Sequence, residues 1–223
     1  MSTAMHAAAA LLAAALGYFS GALPWGLWLG LWLRGVDVRS LGSGNLGATN
    51  VYRSLGPGIG VATLLLDVAK GALPVLLVPR VPFAGGTALG AAFPGGPTWC
   101  AIVTGLAAVA GHVWTCFAGF RGGKGVATTA GVLLALSPLA FAAFVVIFVL
   151  TVAVSHYISL GSIFGSVAFA VTLAIVAPGG VRSPLFLVGA LIALLVIARH
   201  RENIQRLRRG EERRFSLRGG GAT

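Results

Sequence analysis

Two stretches of this 223-residue sequence combine glycine, short polar side chains and a cation, which is chemistry suited to holding phosphate. The first is Ser43-Gly44-Asn45-Leu46-Gly47-Ala48-Thr49-Asn50, followed by Val51-Tyr52-Arg53. Glycine permits positive φ and lets backbone N–H groups converge on an anion. Ser43, Asn45, Thr49 and Asn50 add short polar groups, and Arg53 adds a fork matched to phosphate oxygens. An ordinary turn needs two or three such residues. Here eight, polar or small at all but Leu46, run into an arginine, so ligand binding is the better reading.

The second stretch is Gly119-Phe120-Arg121-Gly122-Gly123-Lys124-Gly125, which opens onto the apolar run from Val126. A helix starting there adds the pull of its N-terminus on an anion. It is not a nucleotide-binding P-loop, because Ala118 stands where the first glycine is required and Gly125 follows the lysine. His112 precedes the loop by about six residues, or about 9 Å along a helix. Two readings of it stay open: a satisfied core histidine and a group facing substrate.

Two further clusters are weaker alone. Ser155-His156-Tyr157-Ile158-Ser159-Leu160-Gly161-Ser162 joins two apolar runs, and small polar residues are common at such junctions. Arg199-His200-Arg201-Glu202-Asn203 follows the last apolar run; on a continuous helix Arg199, His200 and Asn203 share one face. A basic anchor for anionic lipid accounts for the arginines but less well for His200 and Asn203. Asp67 and Lys70 lie inside an apolar run, where charges are costly and usually paired or functional. Their spacing permits a mutual, mainly structural pair, with Lys70 also a candidate support for the phosphate loops.

Other chemistries lack residues. Of five acidic side chains only Asp67 lies within an apolar run, so no carboxylate-built divalent metal site is expected. No Asp follows His112 at the fourth position, as one acyltransferase motif requires, and no G-x-S-x-G elbow occurs in a loop. Cys100 and Cys116 read as small buried hydrophobes.

The elements that must position these groups are membrane spans. Hydrophobic residues make up 57% of the chain and charged residues 9%, with a mean hydropathy of +0.92; a soluble domain carries about a quarter charged residues. Apolar runs cover roughly 6–33, 57–78, 98–117, 126–154, 161–177 and 184–198, and Pro24 predicts a kink in the first. That first run lacks a basic leader and is too long for a signal peptide, so it is expected to be retained. The net charge of +11 is concentrated: eight of sixteen Lys/Arg residues lie between Arg199 and Arg218. Another three lie between Arg34 and Arg53, and two more are Arg121 and Lys124. Such clusters follow the positive-inside bias, and no basic face interleaved with aromatics supports nucleic-acid binding.

Placing the basic regions in the cytoplasm puts the N-terminus outside. The basic tail returns inside only if 126–154 crosses twice, turning near Ser137-Pro138. The expected fold is therefore all-α, a polytopic transmembrane helical bundle of seven spans with a cytoplasmic C-terminus. Residues 1–223 are expected to form one integral membrane domain, ending in a basic cytoplasmic tail at about 199–223.

SGNLGATNVYR, DVAKG, GHVWTCFAGFRGGKGVAT, SLGSI and RHRENIQRL, in that order between about Tyr18 and Leu207, resemble the bacterial acyl-phosphate:glycerol-3-phosphate acyltransferase family. The tail beyond Leu207 adds nothing to the resemblance. It implies transfer of an acyl chain from acyl phosphate to glycerol 3-phosphate, giving lysophosphatidic acid in phospholipid biosynthesis. It further implies no cofactor, membrane lipid as surroundings, and a bacterial cytoplasmic (inner) membrane location with the site on the cytoplasmic side. On this resemblance Ser43, Asn45, His200 and Asn203 are the catalytic candidates. Gly47, Thr49, Asn50, Arg53, Lys70, His112, Arg121, Gly123, Lys124, Ser159 and Ser162 are the candidates for substrate phosphate. Asn203 would donate to the acyl carbonyl; His200 would orient or deprotonate the glycerol hydroxyl, unless a substrate phosphate is the base. A transporter for a phosphorylated solute is the competing class, but it predicts internal repeats and polar groups through both membrane halves, and neither is found. A structural membrane scaffold would leave the glycine-rich loops unexplained.

Overall fold

The computed structural model describes residues 2–215. Its regular structure is helical, with one isolated bridge between Pro82 and Ala88 among the described residues. The helices are α1 (Thr3–Ala22), α2 (Trp25–Arg34), α3 (Ala48–Leu55), α4 (Pro57–Leu77), α5 (Leu89–Ala92) and α6 (Pro97–Val113). They continue as α7 (Val126–Leu136), α8 (Pro138–Ser155), α9 (Ile158–Val176), α10 (Pro184–Arg199) and α11 (Arg201–Arg209).

Among the described residues, five segments are long and apolar enough to cross a membrane: Thr3–Arg34, Pro57–Arg80, Pro97–Ala118, Pro138–Ser155 and Ile158–Val176. The pair α10–α11 reaches that length and apolarity only when its two bent helices are counted together, which would make six. α7 is apolar but has only 11 residues. The most apolar stretch of α8 buries only 11% of its residues, and Val154 near its end is 84% exposed. Large apolar side chains directed outward in this way require lipid as solvent.

α1 to α7 form one compact unit ending at Leu136, and α8 to α11 form a second starting at Ser137. In the first unit α1 packs along α6, and α4 along α7. Lipid gives little hydrophobic drive to helix association, so close backbone contact must supply it. A Cβ at Gly21 would stand 1.9 Å from the Ala108 carbonyl oxygen, and one at Gly131 1.9 Å from that of Val68. Any side chain at either position would push its helix pair apart. In the second unit α8 packs on α9, and α9 on α10.

The kink expected at Pro24 separates α1 from α2. Within 126–154 the chain breaks where Ser137 and Pro138 occur: Ser137 Oγ accepts from the Ala140 N–H (3.4 Å), and Pro138 opens α8. Residues 199–203 do not continue a single helix, because the chain bends by 51° between α10 and α11, with His200 at φ −94° and ψ 8°. Its N–H bonds the Ile197 carbonyl, tightening the last turn and redirecting the chain.

Candidate active site

In the first unit, Leu27, Val38, Leu46, Val51 and Ala118 form an apolar floor beneath the first glycine-rich loop. Asn50 shapes the loop from inside, being only 5% exposed. Its Oδ1 accepts from the Ser43 N–H at 2.9 Å. Its Nδ2 donates to the carbonyls of Val38, Leu41 and Asn45 at 3.0–3.2 Å. Asn45 Oδ1 accepts from the Gly47 N–H at 2.8 Å, closing a local turn. Asn50 thus works on backbone, while Ser43 and Arg53 are exposed and Gly47 and Thr49 half-buried. Of the neighbouring cations, Arg39 grips Asp37 through Nη2 at 2.6 Å. The bonds from Arg39 hold the Asp37 carboxyl below the usual carboxylate range, against a smaller opposing effect of burial.

α6 stops at Val113, and the second loop doubles back onto its end. Gly122 N–H donates to the Val113 carbonyl and Gly123 N–H to that of His112, both at 3.1 Å. His112 therefore touches the loop directly and does not stand a helical stretch away from it. A Cβ at Gly123 would lie 2.1 Å from His112 Nε2, so only glycine fits there. Gly125, with φ +83°, then turns the chain into α7. Lys124 is half-buried and Arg121 exposed.

Below this loop, Lys70 Nζ sits 2.8 Å from Asp67 Oδ1, with both side chains at most 4% exposed. His112 Nδ1 is 3.8 Å from the same Asp67 oxygen. Lys70 Nζ also donates to the Leu23 carbonyl at 2.7 Å, and Thr115 Oγ1 donates to that of Ala22. Pro24 interrupts the helix at this point, so these carbonyls are open to Lys70 from α4 and to Thr115, just past the end of α6. A pocket of about 190 Å³, counting its open mouth, is lined in part by Leu46, Asp67, Lys70, His112, Thr115 and Gly123. The two glycine-rich loops thus meet at one cavity. The role of Thr115 as a hook for the kink was missed in the sequence, where it reads as one more apolar-run residue.

In the second unit, Asn203 Nδ2 donates to Glu212 Oε1 at 2.6 Å. Ser159 Oγ donates to the same oxygen at 2.8 Å, and Arg206 Nε to Oε2 at 2.8 Å. Ser159 and Asn203 are thereby brought together. Ser162, 2% exposed, instead donates to the Ile158 carbonyl at 3.0 Å. His200 is buried, with Nδ1 2.7 Å from the Val196 carbonyl oxygen. That bond makes Nδ1 the protonated nitrogen when the ring is neutral, because a carbonyl can only accept. Glu212 lies beyond Leu207, in the stretch the sequence reading set aside. A carboxylate in a run of arginines after Gly210 was the available signal.

Residues 11–210 match the profile of a family described as glycerol-3-phosphate acyltransferase. The chain is 48% identical over 207 residues to a glycerol-3-phosphate acyltransferase of Geobacter sulfurreducens, covering 92% of this chain and 97% of that protein. One from Myxococcus xanthus is 45% identical over 200 residues, covering 90% and 96%. Among solved structures it resembles the integral membrane glycerol 3-phosphate acyltransferase PlsY in its glycerol 3-phosphate form, at 36% identity and TM-score 0.79, over 93% of this chain and 96% of that one. The lysophosphatidic acid form of PlsY gives 35% identity and TM-score 0.77, over 94% and 97%. With the motifs, the all-helical membrane fold and nearly the whole length in agreement, this chain belongs to the glycerol-3-phosphate acyltransferase family.

Proposed function

We propose that the protein transfers an acyl chain from acyl phosphate to glycerol 3-phosphate, releasing phosphate and 1-acylglycerol 3-phosphate. The observation that carries this reading is the convergence of Leu46 and Gly123, one from each glycine-rich loop, on a single pocket. Both substrates bear phosphate, and an acyl phosphate is already activated. Catalysis then needs alignment and charge stabilisation more than a protein nucleophile. Arg53 and Lys124 hold phosphates, with Gly47, Thr49, Arg121 and Gly123 lining the same loops; Asn50 and Lys70 support them from within. A glycerol hydroxyl attacks the acyl carbonyl carbon, the new C–O bond forms, and the bond to phosphate breaks. Ser43, Asn45 and Asn203 assist at the polar groups. The hydroxyl proton passes to His200 or to a substrate phosphate oxygen.

In the test, purified protein is given palmitoyl phosphate and glycerol 3-phosphate with a chelator present. Lysophosphatidic acid and inorganic phosphate are expected in equal amounts, and none with palmitoyl-CoA or palmitoyl-acyl carrier protein. Transfer from a thioester donor instead, or activity restored only by magnesium, would contradict the reading.

We further propose seven crossings in the bacterial cytoplasmic membrane, with the N-terminus outside, the tail cytoplasmic and the working face inward. Thirteen of the sixteen basic residues support this sidedness. α7 rises only about 16 Å, against a hydrocarbon core of about 30 Å. The Gly119–Gly125 loop must then descend into the membrane, as non-helical backbone can where protein buries it or a cavity holds water. A C-terminal GFP fusion should fluoresce and a C-terminal alkaline phosphatase fusion should be inactive; the reverse pattern would refute the topology.

A further inference from the structure

Gly210, in the left-handed region at φ +73°, ends α11 and reverses the chain. The Glu211 N–H then bonds the Arg206 carbonyl at 2.8 Å, and the side chain of Glu212 is returned to the helix it has just left. That side chain is 7% exposed and accepts from three donors: Ser159 in the first turn of α9, and Asn203 and Arg206 on α11. Burial pushes the Glu212 carboxyl up, but the bonds from Asn203, Arg206 and Ser159 outweigh it and hold the group below its ordinary range. Further on, the Phe215 N–H donates to the His156 carbonyl at 2.6 Å, and the Arg214 guanidinium lies 5.9 Å from the centre of the Tyr157 ring. The segment after α11 is therefore tied to the start of α9 at several points, and Glu212 is its buried contact.

We propose that Glu212 is a positioning residue for acyl transfer, acting through the amide of Asn203. This rests on the role proposed for Asn203 above. An ionised carboxylate can only accept, so Asn203 must turn its nitrogen toward Glu212, which fixes the amide plane. The bend at His200 leaves α11 without the support of a continuous helix, and Glu212 replaces it with bonds to both α9 and α11. Charge-assisted bonds of 2.6–2.8 Å are the strong class. Asn203 thus enters the reaction already oriented, and loss of orientation weakens the transition state more than ground-state binding.

The competing reading is that the carboxylate sits where a substrate phosphate belongs and restrains the enzyme. The direction of one kinetic change separates the two. Steady-state kinetics of E212Q, N203A and E212Q/N203A are compared with the intact protein, using palmitoyl phosphate and glycerol 3-phosphate. We expect kcat of E212Q to fall about 10–100-fold, the range seen when an outer partner of a functional side chain is lost, with KM changed less than about threefold. The double variant should be no slower than N203A, because both act through one amide. Wild-type turnover in E212Q, or independent additive losses, would overturn the proposal. Faster turnover with lower KM would also overturn it, in favour of the restraint. Wild-type kcat in N203A would sink the site reading itself, whereas a slow N203A beside a normal E212Q would sink only the positioning role. Should E212Q not be recovered folded, E212D, which keeps the charge on a shorter arm, is judged by the same criteria.

Discussion

Replacing Lys124 with alanine is expected to lower kcat for acyl transfer by two to three orders of magnitude, about 2.7–4 kcal/mol of transition-state stabilisation. The lysine stands two residues before α7, after a loop whose backbone is pinned to the end of α6 through Gly122 and Gly123. A cation held on a pinned loop at a helix N-terminus adds its charge to the field of the helix without reorganising during the reaction. K124A should keep its fold, because Lys124 is half-buried and the pinning bonds come from neighbouring backbone. The check is single-turnover kinetics on K124A protein that elutes as the intact enzyme does in detergent. A rate within fivefold of the intact enzyme would remove Lys124 from the phosphate-binding residues. Arg53 lies on α3, exposed above the first loop, and R53A is the matching variant for that loop.

Asp67→Leu is expected to destabilise the folded protein by about 3–5 kcal/mol, because it leaves Lys70 charged and buried without its counter-ion. The Leu23 carbonyl remains as a partner of Lys70, but a neutral acceptor does not replace a carboxylate at 2.8 Å. His112 would also lose the charge 3.8 Å from its ring. Thermal unfolding in detergent should fall by the order of 10 °C. Asp67→Leu/Lys70→Met, which removes both charges while keeping volume, should recover most of the loss, as buried pairs often do when replaced together. If the single variant melts with the intact protein, the pair is not structural. Turnover of the double variant then separates the two roles of Lys70. Normal turnover confines it to structure, and a stable but inactive enzyme keeps it at the phosphate.

Much of this protein is legible from residue order. Spans are read from runs of apolar residues because lipid forbids unsatisfied backbone, a constraint that acts on each segment separately. The kink at Pro24 and the break at Ser137-Pro138 were legible for the same reason, since proline lacks an N–H wherever it stands. The pairing of Asp67 with Lys70 followed from spacing on one helix.

Contacts between distant positions were not legible. Composition makes Asn50 look like a ligand for phosphate, yet its polar atoms are taken by loop backbone. Helical spacing puts His112 a turn and a half from the second loop, whereas the chain folds back so that Gly123 lies against its ring. A continuous helix would put His200 and Asn203 on one face, but the 51° bend between α10 and α11 moves Asn203 onto a new axis. Glu212 looks like a stray charge in a basic tail until Gly210 turns it back onto Asn203 and Ser159. Apolar runs and proline breaks depend on neighbours in the chain, so they survive in a one-dimensional record. Which polar group satisfies which buried donor depends on how separate segments meet, and only the folded chain brings those segments within hydrogen-bonding distance.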